Sequence, residues 1–330
     1  MTLPRAPVGG TAVTELSFGA APIGNMYSAV SDDDAAAAIN AAWDGGIRFF
    51  DTAPHYGLGL SERRLGAGLR ERPRDQYVVS TKIGRLLEPT GAASPGLDDG
   101  FDVPATHRRV WDFSRDGVLR SLDESLGRLG LDRVDILFIH DPDHHWRQAV
   151  EEAYPAVARL RDEGVVEAIG VGMNQAEMLA DFVRSTDIDV VMLAGRYTLL
   201  EQGALDDLLP LCAERGVGVV AVGAFNSGLL ALPRPPDDAM YNYAPAPAKL
   251  IERVRRIADV CEAHGTTLPA AALHFPLAHP AVVSLAVGNR DAAQVRRNLD
   301  LFHAPVPAGL WPALRDAGLL RSDAPVEVPL

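Results

Sequence analysis

The sequence predicts an α/β protein folded as one closed parallel (β/α)8 barrel over residues 1–330, with an N-terminal hairpin and additional C-terminal helices. Eight short apolar runs alternate with segments of helical periodicity, which is the mark of βα units and a parallel sheet. No break in composition divides the 330 residues, a length that α/β barrels commonly use as one domain. No run is followed by the Gly-x-Gly-x-x-Gly turn that an open dinucleotide-binding sheet would place there, which disfavours the doubly wound alternative.

The elements follow in order. Gly9-Gly10 and the stretch 11–16 suggest the opening hairpin. Residues 16–20 read as the first barrel strand, followed by a turn of small residues at 20–24. Ser31, with Asp34 three residues on, resembles a capping box for an alanine-rich helix over 35–43 that ends at Gly45-Gly46. The second strand, 47–50, stops abruptly at Asp51; Pro54 and Gly57 force a loop that carries Tyr56, and Ser61-Glu62 opens a helix over 61–69. The third strand, 77–82, ends in Lys82.

Residues 84–113 are rich in Gly, Pro and Asp and read as irregular; so long a stretch in a compact domain is usually functional or disordered. Ser114 caps a helix to 129, and the fourth strand, 134–139, ends in His140-Asp141-Pro142. A helix over 146–162 leads to the fifth strand, 168–171, with Gly172-Met173-Asn174 after it. Strand six covers 190–193, strand seven 217–222 and strand eight 282–287. A loop with five prolines fills 223–248, and helices are expected over 249–264, 268–277, 291–302 and 309–317.

Lys and Arg number 31 against 44 Asp and Glu, a net charge of −13. So acidic a surface offers no attraction to nucleic acid or to an anionic membrane, and neither is expected as a partner. The N-terminus lacks a charged-then-apolar signal pattern, and prolines interrupt the longest apolar stretch, 269–288. The two cysteines, Cys212 and Cys261, lie far apart in helical patterns that fit no metal spacing. Buried free thiols and a reducing cytoplasm are the expectation.

Asp51, Lys82 and His140 stand at the ends of three consecutive strands, the edge where parallel α/β folds bind ligands. Lys82 and Lys249 are the only lysines, so a lysine at a strand end, where the chain otherwise uses arginine, suggests a need for a compact ammonium. A tyrosine, with a pKa of about 10, exchanges protons poorly at neutral pH unless a nearby ammonium stabilises the phenolate. A carboxylate holds the lysine charged and placed, and a neutral histidine donates to a carbonyl oxygen. This set suits reversible proton transfer at a carbonyl or alcohol, coupled to hydride transfer by a nicotinamide. His144-His145-Trp146 invites a metal reading, but a polar loop without helical spacing argues for none. Trp111, Trp146, Tyr241 and Tyr243 either flank the ring of a bound substrate or pack under loops.

Phe50-Asp51-Thr52-Ala53 with Tyr56, Ser61-Glu62, Ser80-Thr81-Lys82 and Ile139-His140 together resemble the aldo-keto reductases, over nearly the whole chain. The resemblance implies a TIM barrel that binds NAD or NADP without a Rossmann fold. It implies Tyr56 as proton donor, Lys82 and Asp51 as the pair that tunes it, and His140 as the group that orients substrate. Four further stretches are similar to the branch of aldose 1-dehydrogenases acting on D-threo-aldoses or L-fucose, with pyridoxal 4-dehydrogenase a near relative. They are His140-Asp141-Pro142-Asp143, Gly170-Val171-Gly172-Met173-Asn174, Tyr243-Ala244-Pro245-Ala246-Pro247 and Ala270-Ala271-Ala272-Leu273-His274-Phe275-Pro276-Leu277. That branch implies a small sugar or aldehyde substrate and oxidation of an anomeric hydroxyl to a lactone. A general aldehyde or ketone reductase is the alternative. A non-catalytic cofactor-sensing barrel would be expected to lose part of the four-residue set, which is complete here.

For the cofactor, the resemblance implies Asp51, Met173 and Asn174 near the nicotinamide, and Gly223, Phe225 and Ser227 in the loop around the pyrophosphate. Gly288, Arg290, Gln294 and Asn298 are implied at the adenosine end, where a helix start suits a phosphate. Three positions depart from the wider family: Met173 stands for a serine, Ala194 for a glutamine, and Val222 for a stacking aromatic, with Phe225 close by.

Overall fold

The computed structural model describes residues 2–91, 97–242 and 244–326. Eight parallel strands close into a barrel. They are β1 (Leu16–Gly19), β2 (Phe49–Asp51), β3 (Val78–Ile83), β4 (Ile136–His140), β5 (Ala168–Met173), β6 (Val190–Ala194), β7 (Gly218–Val222) and β8 (Val282–Gly288). Neighbours follow chain order, and β8 closes on β1 with Leu285 opposite Leu16 and Gly288 opposite Gly19. Helices alternate with them, among them α1 (Asp32–Asp44), α2 (Leu60–Leu69) and α3 (Arg115–Leu129).

Strand periodicity sorts the core into two layers. Phe49, Val78, Ile136, Phe138, Val190, Met192 and Val220 point into the barrel. Their neighbours Phe50, Val79, Leu137, Ile139, Val191 and Val219 face the helices. The hairpin of Arg5–Val8 and Thr11–Thr14 adds Val8 and Val13 to the inner layer and plugs the amino-terminal end of the barrel. The opposite, carboxyl-terminal end stays open to ligands.

Several local expectations meet their physical counterparts. Ser31 and Ser114 each accept a backbone N–H at the start of a helix, from Asp34 at 3.0 Å and Gly117 at 3.1 Å. The Asp34 carboxylate takes the Ser31 hydroxyl at 2.6 Å, so the reciprocal side-chain bond of a capping box is replaced by a direct pair. α2 begins at Leu60, one residue early, which leaves the buried Ser61 hydroxyl to bond the Ala20 carbonyl. The helix expected over 146–162 contains a π segment at Ala149–Ala153, where Pro155, two residues on, has no N–H to continue the regular ladder. Both cysteines are free and buried, and burial pushes each thiol up to about 12. Among the described residues, no helix is long and apolar enough to cross a membrane.

Residues 84–113 differ from the irregular reading. Arg85–Pro89 pairs antiparallel with His107–Trp111, and Leu97–Asp98 with Phe101–Asp102. Leu86 and Leu87 are buried beneath the first pair. The second turns through Asp99 and Gly100, both at positive φ (51° and 84°), the Asp-Gly geometry of a tight hairpin. The proline-rich loop likewise holds a small hairpin, Met240–Tyr241 with Ala244–Pro245.

Candidate active site

Asp51 ends β2, Lys82 lies near the end of β3 and His140 ends β4, so parallel pairing sets all three at the open edge. All are buried, Lys82 to 1% exposure and Asp51 to 3%. The ammonium donates to Asp51 Oδ1 at 2.8 Å, Asp51 Oδ2 at 2.6 Å and the Thr52 carbonyl at 2.9 Å. The Ser80 hydroxyl adds a bond to Asp51 Oδ1 at 2.7 Å. Burial pulls the Lys82 pKa down, but the charges of Asp51 and Tyr56 and the bonds to both outweigh it, and the net shift is upward. The lysine is a fixed cation.

Tyr56 sits on the loop after β2, with its ring centroid 4.7 Å from Lys82 Nζ. Here the structure corrects an expectation. Lys82 does favour the phenolate, by charge and by hydrogen bonding, but burial is the larger effect and the phenol pKa lies above its ordinary value. Lys82 limits the rise rather than producing a net fall. His140 is held well below its usual range, first by burial and then by the charges of Arg85 and Lys82. It is therefore a neutral imidazole, able to donate one N–H. Its ring stands 6.0 Å from that of Tyr56, edge-on.

A cavity of about 590 Å³ opens over this cluster. Asp51, Tyr56, Lys82 and His140 line it, as do Met173, Asn174, Gly223 and Gly288 from the set implied for a cofactor. Gly19, Gly172, Ala194 and Ala286 give it a floor of small residues. A Cβ on Gly19 would meet the backbone of Val287 and Gly288 at 3.4 Å, so strand β8 runs close beside it. Phe225, Ser227, Arg290, Gln294 and Asn298 stand outside the lining of this cavity. Gln294 Oε1 accepts the Arg290 N–H at 3.1 Å, and Asn298 donates to Asn289 Oδ1 at 2.7 Å. Asn298 Oδ1 is buried without a partner, an acceptor with unused capacity at the predicted adenosine end. Small residues lining the cavity and an orphaned acceptor midway along the helix Ala292–His303 fit an extended dinucleotide.

The aromatic expectations divide. Trp111 lines a smaller neighbouring cavity of about 290 Å³ with Arg85, Asp143, His144 and His145. Its ring stacks on Phe113, and the Arg85 guanidinium lies 4.4 Å from its centroid. Trp146 stands away from both cavities, because its ring packs 4.4 Å from that of Phe182 in the helical layer. A substrate contact for Trp146 does not follow from this placement, and for Trp111 only through the smaller cavity. Tyr241 donates its hydroxyl to Glu201. Tyr243 lies outside the described residues. Among the described residues, no group of His, Cys, Asp and Glu side chains is arranged to hold a metal.

Sequence reasoning missed Met26, Tyr27, His55 and Phe101, all of which line the main cavity. His55 neighbours Tyr56 in the quoted motif, yet only tertiary contact reveals its setting. Burial, then Arg85, Arg109 and Lys82, pull its pKa from 6.5 down to about 2. The unfolded chain takes up a proton there below pH 6.5, whereas the folded chain resists until about pH 2. This contribution to stability is full above the unfolded pKa and falls as the pH drops. Acidification from pH 7 to pH 5 is expected to remove roughly 2 kcal/mol through His55 alone, and His140 acts in the same direction. Urea midpoints at the two pH values measure this, and equal midpoints would contradict the neutral, buried state of both rings.

The sequence matches a model of the Aldo/keto reductase family over residues 15–317. It is 50% identical over 323 residues to a D-threo-aldose 1-dehydrogenase of a Pseudomonas species, covering 97% of this chain and 98% of that protein. It is 40% identical to a pyridoxal 4-dehydrogenase of Microbacterium luteolum, covering 94% and 96%. Among solved structures, the holo form of an aldo-keto reductase from Bacillus halodurans matches with a TM-score of 0.74 at 23% identity, covering 98% of both chains. That last likeness concerns the fold.

Proposed function

This chain belongs to the aldo/keto reductase family and is an oxidoreductase, and from that premise we propose that it moves a hydride between a nicotinamide cofactor, NAD or NADP, and the anomeric carbon of an aldose, giving a lactone. The observation that carries the reading is the set of buried Asp51, Lys82 and His140 with half-buried Tyr56 on one cavity wall. The 50% identical relative is named for the same substrate class.

When bound, the oxidised nicotinamide supplies the hydride acceptor. The protein's own residues do the rest. Tyr56 takes the proton from the anomeric hydroxyl as that carbon becomes a carbonyl. Lys82, fixed by both Asp51 oxygens, stabilises the Tyr56 phenolate that must be present before it takes that proton. His140, neutral, donates to the reacting oxygen and orients it. Asn174 lines the cavity, which supports its proposed role in holding the nicotinamide amide. Met173 cannot bond as a serine would, so backbone groups of the small-residue floor take a larger share.

Arg290 bears on the choice of cofactor. Its Nη2 donates to the Ser28 and Ala29 carbonyls, both at 3.2 Å, leaving further guanidinium donors for a 2′-phosphate. Arg290→Ala is expected to weaken NADP+ more than NAD+ in fluorescence titrations; equal losses would remove the 2′-phosphate contact.

The reading is tested by a matrix of aldoses and pyridoxal against NAD+ and NADP+, followed at 340 nm and reported as kcat/KM. An aldose is expected to give the highest value. The 40% identical relative favours pyridoxal as the second reading, and pyridoxal in first place would select it.

A further inference from the structure

The substrate end of the cavity is bounded by Asp99, Gly100 and Phe101, from the insertion between β3 and α3. From the neighbouring strand His107–Trp111, Arg109 reaches the loop after β2. Its Nε donates to His55 Nδ1 at 2.6 Å, its Nη2 to the His55 carbonyl at 3.2 Å, and its Nη1 to Asp98 Oδ2 at 2.6 Å. A guanidinium stays charged and only donates. His55 Nδ1 must then be the acceptor, and the single ring proton must sit on Nε2.

His55 Nε2 has no hydrogen-bond partner among the described residues, and it is not one of the sealed, unpartnered buried atoms. His55 lines the cavity, so that N–H is offered to whatever occupies it. Phe101 packs edge-on against the ring at 5.2 Å and stacks on Tyr56 at 6.0 Å, which holds the imidazole in place. The His140 and Tyr56 rings each stand 6.0 Å from that of His55. Two neutral N–H donors and one phenol thus converge on one small volume, with His140 and Tyr56 assigned to the reacting oxygen.

We propose that Arg109 and His55 form a specificity pair: Arg109 is a positioning residue that fixes the His55 tautomer, and the His55 Nε2–H donates to an oxygen on the atom beside the reacting carbon, the 2-hydroxyl of an aldose. This rests on the reading of the site as aldose-oxidising. A substrate with only hydrogen at that atom leaves a buried donor unpaired, which a site built for a hydroxyl penalises.

The test compares L-fucose with 2-deoxy-L-fucose for wild type, His55→Phe, Arg109→Met and the double variant. Wild type is expected to favour L-fucose in kcat/KM by about tenfold or more. His55→Phe should lose that preference, its kcat/KM falling about tenfold or more further on L-fucose than on the 2-deoxy sugar. Arg109→Met should lose much of it, and the double variant should be no worse than His55→Phe. A purely structural role would lower both sugars together. Equal loss on both, or a preference that survives His55→Phe, overturns the proposal. If wild type oxidises neither sugar, the function proposed above has failed instead. The same contrast then runs in the reductive direction with glyceraldehyde and 3-hydroxypropanal, which differ by that hydroxyl, and an undiminished preference in His55→Phe again overturns the pair.

Discussion

Tyr56→Phe is expected to lower kcat and kcat/KM alike, by about 10²- to 10⁴-fold, roughly 3–5 kcal/mol of barrier. The substitution keeps the ring that stacks on Phe101 and removes only the hydroxyl. The proton moves in the transition state, so the loss falls on both constants. Cofactor affinity should hardly change, because the proposed mechanism turns the tyrosine toward the substrate. Circular dichroism establishes that the variant is folded, and wild-type kcat in a folded variant would remove Tyr56 from the mechanism.

Lys82→Met carries the second large effect, on activity and stability together. Without the ammonium nothing offsets the burial that already raises the phenol pKa, so that pKa climbs further. In the oxidative direction the rate rises as Tyr56 ionises, and the variant's rise should therefore move to higher pH. The variant also strands a carboxylate that is 3% exposed, stripped of its cation. Breaking one side of such a pair typically costs about 3–5 kcal/mol. The Lys82 pKa is raised on folding, so the pair's contribution is fully present below the ordinary value of 10.5 and is lost only as the pH rises through the folded value. Wild type should thus keep the pair's contribution across neutral pH. Replacing both partners, Lys82→Met with Asp51→Leu, should recover much of the stability and none of the activity. A single variant as stable as wild type would contradict the buried ion pair.

The barrel was legible because each strand is a short apolar run closed by a turn residue, with a helix behind it. The site was legible for the same reason: Asp51, Lys82 and His140 interrupt those runs at their ends, and consecutive parallel strands bring such residues to one edge. Pairing between Arg85 and Trp111 spans too long a separation for local pattern to reveal, although the Asp99-Gly100 turn was a signal available in the letters. His55 and Arg109 meet only through that insertion. The direction of the Tyr56 shift was misjudged because the neighbouring lysine is visible in the sequence and the depth of burial is not. Trp146 shows the converse: an aromatic six residues after the site histidine His140 turned into the helical layer, because Phe182 offered it a partner there.

The most direct measurement oxidises L-fucose carrying deuterium at the anomeric carbon, with NAD+ or NADP+, and follows both products by NMR. Transfer from that carbon places the deuterium on the reduced nicotinamide, leaves an unlabelled lactone and slows kcat/KM by a primary isotope effect. A labelled sugar product, or no reduced cofactor while pyridoxal is turned over, would contradict hydride transfer from the anomeric carbon.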